Sequence, residues 1–311
     1  MQRPCGFGAL GAALASALAS ATCAHHPARF DVAARRTCLV LSAGGTRGVA
    51  ELGAIEAIRR AGLPISCVVG TSVGALVGAL YASAPDADTT ERFLGLTTAY
   101  VAETRREAEG RGVRTGLALA AVAAAITGGL LGPATAAVGG YLIGAGTVTQ
   151  ADRGRLERVL RVELRGARIE ALPIAFAALH HEREQQGLRL VVSRAGDLAG
   201  AVGASIANPF VFDDIDVASA PALDPGSDRL AATPVEDACR QFPDSNLLVV
   251  NVSGTPAVHT ASTACPIREI MVEVSAVPPE SLLARGATDG AFESAWRAGY
   301  DRTAAGLATA R

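Results

Sequence analysis

The sequence predicts an α/β fold, a three-layer α/β/α sandwich around a mainly parallel central sheet. Short apolar runs at 37–42 and around 66–69 end in glycines, as strands buried on both faces do. Each run is followed by an apolar helical pattern. The order strand, loop, helix, strand, glycine elbow, helix makes the two strands parallel, with helices outside.

The chain has 311 residues, enough to bury a large core as one big domain or two small ones. Its start, "MQRPCGFGALGAALASALASATCAHH", runs from one basic residue through an uncharged small-apolar stretch to Ala19-Ser20-Ala21. That is the anatomy of a secretory signal peptide over 1–23, with Cys23 a candidate lipidated first residue of the mature chain. A linker at 24–36 then leads into a domain over 37–311. The expectation is an exported protein: periplasmic, secreted or anchored to the outer membrane as a lipoprotein. Export permits disulfides. Cys239 and Cys265 lie in irregular sequence and are the expected pair, whereas Cys38 and Cys67 fall in strands, where a small buried hydrophobe is the commoner role.

"TCLVLS" (37–42) is the first strand. Val49, Leu52, Ile55 and Ile58 follow at helical spacing until Gly62 and Pro64 stop the helix. "ISCVV" is the second strand and "VGALVGALYAS" the second helix. Further strands are expected at 172–181, 188–196, 246–254 and 267–277, and a closing amphipathic helix with Trp296 at 288–307. From Thr115 to Ala151 no residue is charged, and Gly128, Gly129, Gly132 and Pro133 divide the segment. Each half is too short to span a bilayer. A buried helical hairpin and an apolar cap that meets lipid are both open readings of this insertion.

Composition excludes some classes. All 28 basic residues are arginine and the net charge is −2, which gives no electrostatic reason to expect nucleic-acid binding. No Cys/His spacing resembles a zinc site. No metal or organic cofactor is implied, and the oligomeric state is left open.

Chemistry concentrates in two loops. Gly70-Thr71-Ser72-Val73-Gly74 fits G-x-S-x-G, in which glycines flank a nucleophile held on a sharp strand-to-helix turn. "SAGGTRGVAELG" (42–53) lies at the carboxyl end of the first strand, where parallel sheets bind ligands. Its glycines free backbone N–H groups to face a developing oxyanion, beside the positive end of the next helix. A dinucleotide-binding reading of this loop fails, because Gly70-Thr71-Ser72 stands where an acidic residue would end the second strand.

The two loops together resemble those of the patatin-like phospholipase family, whose pattern is G-G-G-x-R/K-G, then G-x-S-x-G, then a distant D-G-G/A. Ala43 replaces the first glycine, while Gly44, Gly45, Arg47 and Gly48 match; Glu51 stands where many members have histidine, and Gly53 is kept. "GASIANPFVF" (203–212) is similar to the family segment A-S-x-A-x-P-x-x-F before the catalytic aspartate, and 233–253 to the helix and strand after it. The resemblance runs from about Thr37 to Gly254, with 115–151 as an insertion. It implies a patatin-like fold and a lipid acyl hydrolase with a Ser-Asp dyad. Ser72 would be the nucleophile, Gly70 and Gly74 the elbow, and Gly44, Gly45, Thr46, Arg47 and Gly48 the oxyanion loop. The implied partners are a lipid or phospholipid substrate and a membrane surface.

The base has two candidates in "PALDPGSDRLAATPV". Asp224, followed by Pro225-Gly226, is preferred because strand, aspartate, glycine aims a carboxylate at the elbow. Asp228 is the alternative. Two other functional readings stay open: a lipid-binding envelope protein with a degraded site, and an α/β-hydrolase triad of Ser72, Asp224 and His259. The triad conflicts with topology, since that fold places several strands before its elbow. His180 and His181 are expected at a solvated strand end.

Overall fold

Residues 36–127, 152–209, 211–212, 214–259, 264–278, 282 and 290–308 are described by the computed structural model. The proposed leader, the linker up to residue 35, and the insertion beyond Thr127 lie outside the described residues.

Alternation along the apolar runs builds a sheet with two dry faces. In β1 (Arg36–Leu41), Leu39 and Leu41 point to one face, Cys38 and Val40 to the other, and all four are buried. β2 (Ile65–Thr71) splits in the same way, with Val68 on one face and Cys67 and Val69 on the other. β3 (Ala175–Glu184), β4 (Gly187–Ser193), β5 (Ala222–Leu223), β6 (Ser245–Asn251) and β7 (Ile267–Met271) complete a seven-stranded sheet. Its main order is β4-β3-β2-β1-β6-β7, with β5 paired to β3. β1, β2, β3, β6 and β7 run parallel, while β4 and β5 are antiparallel to β3. The sheet is therefore mixed and mostly parallel, as expected; β3, β4 and β6 form within three residues of their expected bounds, β7 ends at Met271 where a strand to 277 is expected, and the two-residue β5 is not among the expected strands.

The helical layers are unequal. α1 (Val49–Arg60), α2 (Val73–Ser83), α3 (Thr89–Thr127), α4 (Arg153–Glu163), α5 (Leu198–Ser205) and α7 (Ala291–Ala308) pack on the face of Leu39 and Leu41. The other face is covered by the short α6 (Val235–Gln241) and neighbouring loops. α1 buries Val49, Leu52, Ile55 and Ile58, the stripe its spacing predicts. It ends where Gly62 takes φ +64° and the Leu63 and Gly62 amides close onto Ile58 and Arg59 carbonyls, the double bond of a glycine C-terminal cap. α3 continues into the apolar insertion as far as Thr127. No helix among the described residues is long and apolar enough to cross a membrane.

Two expectations about buried residues need correction. Cys239 and Cys265 are bonded as expected, but Cys38 and Cys67 are bonded too. They face each other in register across the parallel β1–β2 pair, with Cα atoms 4.5 Å apart. A sequence without its strand register cannot reveal that proximity. His180 and His181 are not a solvated end: His180 is buried and His181 partly so, because β4 and β5 flank β3 at this point.

Candidate active site

β2 ends in the elbow, and its backbone explains both glycines. A Cβ at Gly70 would stand 2.4 Å from the Gly74 carbonyl oxygen, and one at Gly74 would stand 2.6 Å from the Leu41 oxygen. Both neighbours are backbone and cannot yield. Between them Ser72 adopts φ 55°, ψ −125°, a region that costs a non-glycine residue on the order of 1–3 kcal/mol. In that conformation Ser72 lines a cavity shared with Asp224. Ser72 is only 7% exposed, and its amide donates to Ser205 Oγ at 2.9 Å, which fixes the elbow to the end of α5.

Asp224 follows β5 and meets Ser72 directly. Ser72 Oγ donates to Asp224 Oδ2 at 2.7 Å. The opposite oxygen, Oδ1, accepts the Gly226 amide at 2.7 Å, and Asn208 Nδ2 donates to Oδ2 at 3.4 Å. The Asp224 backbone is held in turn by its amide on the Ala207 carbonyl. Burial pushes the Asp224 carboxyl above its ordinary value; the hydrogen bonds from Ser72, Gly226 and Asn208 oppose that rise. Gly226 is required by its setting, since a Cβ there would stand 2.9 Å from the Ala43 methyl and 3.0 Å from Asp224 Oδ1. The alanine at 43 and the altered D-P-G are thus packed against each other.

Asp228 sits elsewhere. Its carboxylate caps a turn by accepting the Leu230 amide, lies 3.9 Å from His181 Nε2, and is 41% exposed. His259 is exposed and forms no hydrogen bond with Ser72 or Asp224. Asp224 bonds the serine itself, with no imidazole between them.

The loop after β1 faces the same space. Ser42 Oγ accepts the Val252 amide and the Ala43 amide donates to the Ala232 carbonyl, so the loop is anchored on both sides. Gly44 lies against Val252 and Gly48 against Val73, each too close for a Cβ. The Arg47 amide bonds the Gly44 carbonyl and opens a short 3₁₀ turn over Gly45–Gly48. The amides of Gly44, Gly45 and Thr46 have no acceptor among the described residues. These residues, Ser72 and Asp224 all line a cavity of about 770 Å³. The remaining walls are mostly apolar, with Leu76 from α2, Phe93 and Leu96 from α3, Leu156 from α4, and Ile206 and Phe212 after α5. Arg155 ties α3 to α4 behind that wall through Glu107 at 2.9 Å. No cluster of metal-ligating side chains occurs among the described residues.

Ser205 and Asn208 hold Ser72 and Asp224 in roles the sequence does not assign, although both lie in the family-like segment 203–212. Glu51 is a further surprise. It is fully buried in the first turn of α1, and neither carboxyl oxygen has a hydrogen-bond partner among the described residues. Burial holds its carboxyl well above its ordinary value of 4.5; the Ser42 backbone offsets part of that rise without the geometry of a hydrogen bond. The native state therefore keeps a proton that the unfolded chain loses above about pH 4.5, and stability falls as pH rises through that window. Glu51→Gln removes the titration. Its melting temperature gains on the wild type as pH rises above about 4.5, where the unfolded wild-type chain loses the proton. Parallel melting curves for the two proteins across that range would contradict this.

Comparisons with known proteins bear on the site. The patatin-like phospholipase family model matches residues 39–238. Over 63 residues the chain is 52% identical to lysophospholipase NTE1 of Mycosarcoma maydis, which covers 19% of this chain and 3% of that protein. Over 64 residues it is 50% identical to lysophospholipase nte1 of Aspergillus niger, covering 19% of this chain and 4% of the relative. The chain thus spans 3% to 4% of the length of these curated relatives. Among solved structures it is similar to VipD from Legionella pneumophila, with a TM-score of 0.41 and 13% identity over 89% of this chain and 67% of that one. A second is the ExoU–SpcU complex of the Pseudomonas aeruginosa type III secretion system, at TM-score 0.41 and 15% identity over 90% and 52%.

Proposed function

The chain belongs to the patatin-like phospholipase family, and we propose that it hydrolyses carboxylic esters of lipids through a Ser72–Asp224 dyad. The observation that carries this reading is the 2.7 Å hydrogen bond from Ser72 Oγ to Asp224 Oδ2 on the wall of an apolar cavity. Asp224 takes the hydroxyl proton as Ser72 Oγ attacks the ester carbonyl carbon. The tetrahedral oxyanion is held by the unpaired amides of Gly44, Gly45 and Thr46, which need no reorganisation to receive it. Collapse breaks the ester C–O bond, and the proton on Asp224 passes to the leaving alcohol. A water then gives its proton to Asp224 and attacks the acyl-enzyme, releasing the fatty acid and returning the proton to Ser72. Apolar walls favour a long acyl chain and keep bulk water from the oxyanion.

In this reading the protein is exported and works at a membrane surface. Two disulfides support an oxidising compartment. Val211, more than half exposed on the cavity rim, and the uncharged segment 115–151 support contact with lipid. The test pairs a fluorophosphonate probe with fatty-acid release from a phospholipid. Wild-type protein should be labelled once, at Ser72, and should release fatty acid. Protein that neither labels nor releases would instead be a lipid-binding relative without the chemistry.

A further inference from the structure

Arg47 reaches out of the ester cavity. Its Nε donates to the Gly44 carbonyl at 3.2 Å, which fixes the stem of the guanidinium to its own loop. Nη1 extends past that loop to within 2.9 Å of where a Cβ on Gly254 would stand. There the side chain enters a second hollow of about 310 Å³, between the Val252–Gly254 turn and the stretch after β7. Arg47 is the residue that lines both hollows. Neither Nη atom has an acceptor among the described residues.

Glu273 stands in the wall of that second hollow. Its carboxylate is exposed and has no ion-pair or hydrogen-bond partner among the described residues. Arg47 and Glu273 therefore share one hollow without forming a salt bridge. Val252, Val272 and Val274 line the space with them, and Ser275 adds a hydroxyl. Moving away from Ser72, a ligand meets a positive group first and a negative group second. An anion alone would gain Arg47 but be repelled by Glu273, and a neutral group would gain neither. The arrangement complements a dipole whose anion lies nearer the ester.

We propose that Arg47 and Glu273 form a headgroup subsite that selects a zwitterionic phospholipid, with its phosphate on Arg47 and its ammonium on Glu273. This rests on the hydrolase reading and adds a determinant beyond the family-matched residues 39–238. The acyl chain fills the apolar cavity, the ester carbonyl sits at Ser72, and the headgroup crosses the loop along Arg47.

The test uses three monoacyl esters of one chain length: lysophosphatidylcholine, lysophosphatidic acid and monoacylglycerol. For each protein the readout is a ratio of kcat/KM values, which does not depend on the folded fraction. Glu273→Gln should lower the ratio of lysophosphatidylcholine to lysophosphatidic acid by roughly threefold, the scale of an exposed charge pair. Glu273→Lys should lower it further by raising turnover of lysophosphatidic acid, and should leave monoacylglycerol the least affected of the three. An unchanged ratio in both variants, with active wild type, would overturn the subsite alone. Wild type inactive on all three esters would overturn the hydrolase reading and the subsite with it.

Discussion

Ser72→Ala and Asp224→Asn should each lower kcat/KM for a long-chain lipid ester by roughly four to six orders of magnitude, the loss expected when one member of a nucleophile–base unit is removed. The two effects should not add, because in the proposed dyad Asp224 acts only on the proton that Ser72 releases. Asp228→Asn should change the rate by less than about threefold, since its carboxylate is half-exposed in a turn and contacts His181, not the serine. A variant series in which Asp228→Asn alone abolished turnover would show the base to be misassigned. The pH profile carries a second signature. In the proposed mechanism the base is ionised, so kcat/KM should rise with pH through the Asp224 transition, and burial puts that midpoint above the ordinary 3.8. Asn208→Ala removes a donor that favours the ionised form, so the acid limb should move to higher pH. A limb that stayed in place would mean that the 3.4 Å contact has no electrostatic consequence.

How much of this was legible follows from which interactions are local. The elbow is readable because its pattern is compact and lies between an apolar strand and an apolar helix, although only Gly70 is dictated by nearby backbone and Gly74 by the end of β1. The helix α1 was readable because its buried stripe is written at a fixed spacing. Asp224 is readable as the preferred of two aspartates, and its full support depends on where the chain is anchored after β5. The Asp224 amide bonds Ala207, and Gly226 closes onto Oδ1, whereas Asp228 turns toward His181. Gly226 beside Asp224 encodes part of that difference and is why Asp224 is preferred in the sequence, whereas the anchor on Ala207 is not marked there. Ser205 and Asn208 meet Ser72 and Asp224 across long sequence separations, so no periodicity marks them. The same holds for Cys38 and Cys67, whose apolar setting reads as packing until strand register brings them together. α4 also carries a local signal. Asp152 caps the Arg155 amide, and Leu156, Val159 and Leu160 follow at helical spacing.

Gly53→Ala should unfold the layer that carries the Gly44–Gly48 loop, although the change adds one methyl group. A Cβ at Gly53 would stand 1.9 Å from the Trp296 carbonyl oxygen, and one at Gly299 would stand 1.8 Å from the Ala50 oxygen. α1 and α7 thus touch backbone to backbone, once from each side, and neither contact can be relieved by a rotamer change. The helices must separate, which breaks the packing of Phe292, Ala295 and the α1 stripe and loosens the Trp296 Nε1 hydrogen bond to Thr90. Overpacking a core by a methylene usually costs about 1–3 kcal/mol, and an unyielding backbone contact belongs at or above the top of that range. Gly299→Ala should cost as much, and the double variant less than the sum, because the first methyl already separates the helices. Gly95→Ala supplies the opposite sign. Gly95 lies exposed in α3 with no atom near its missing Cβ, so alanine there should stabilise by about 0.5–1 kcal/mol through helix propensity. Urea melts of the three single variants decide the matter. Equal midpoints for Gly53→Ala and Gly95→Ala would refute the close approach of α1 and α7. Because Gly44–Gly48 leads directly into α1, a Gly53→Ala protein that still folds should also lose oxyanion binding, seen as a fall in kcat larger than any rise in KM.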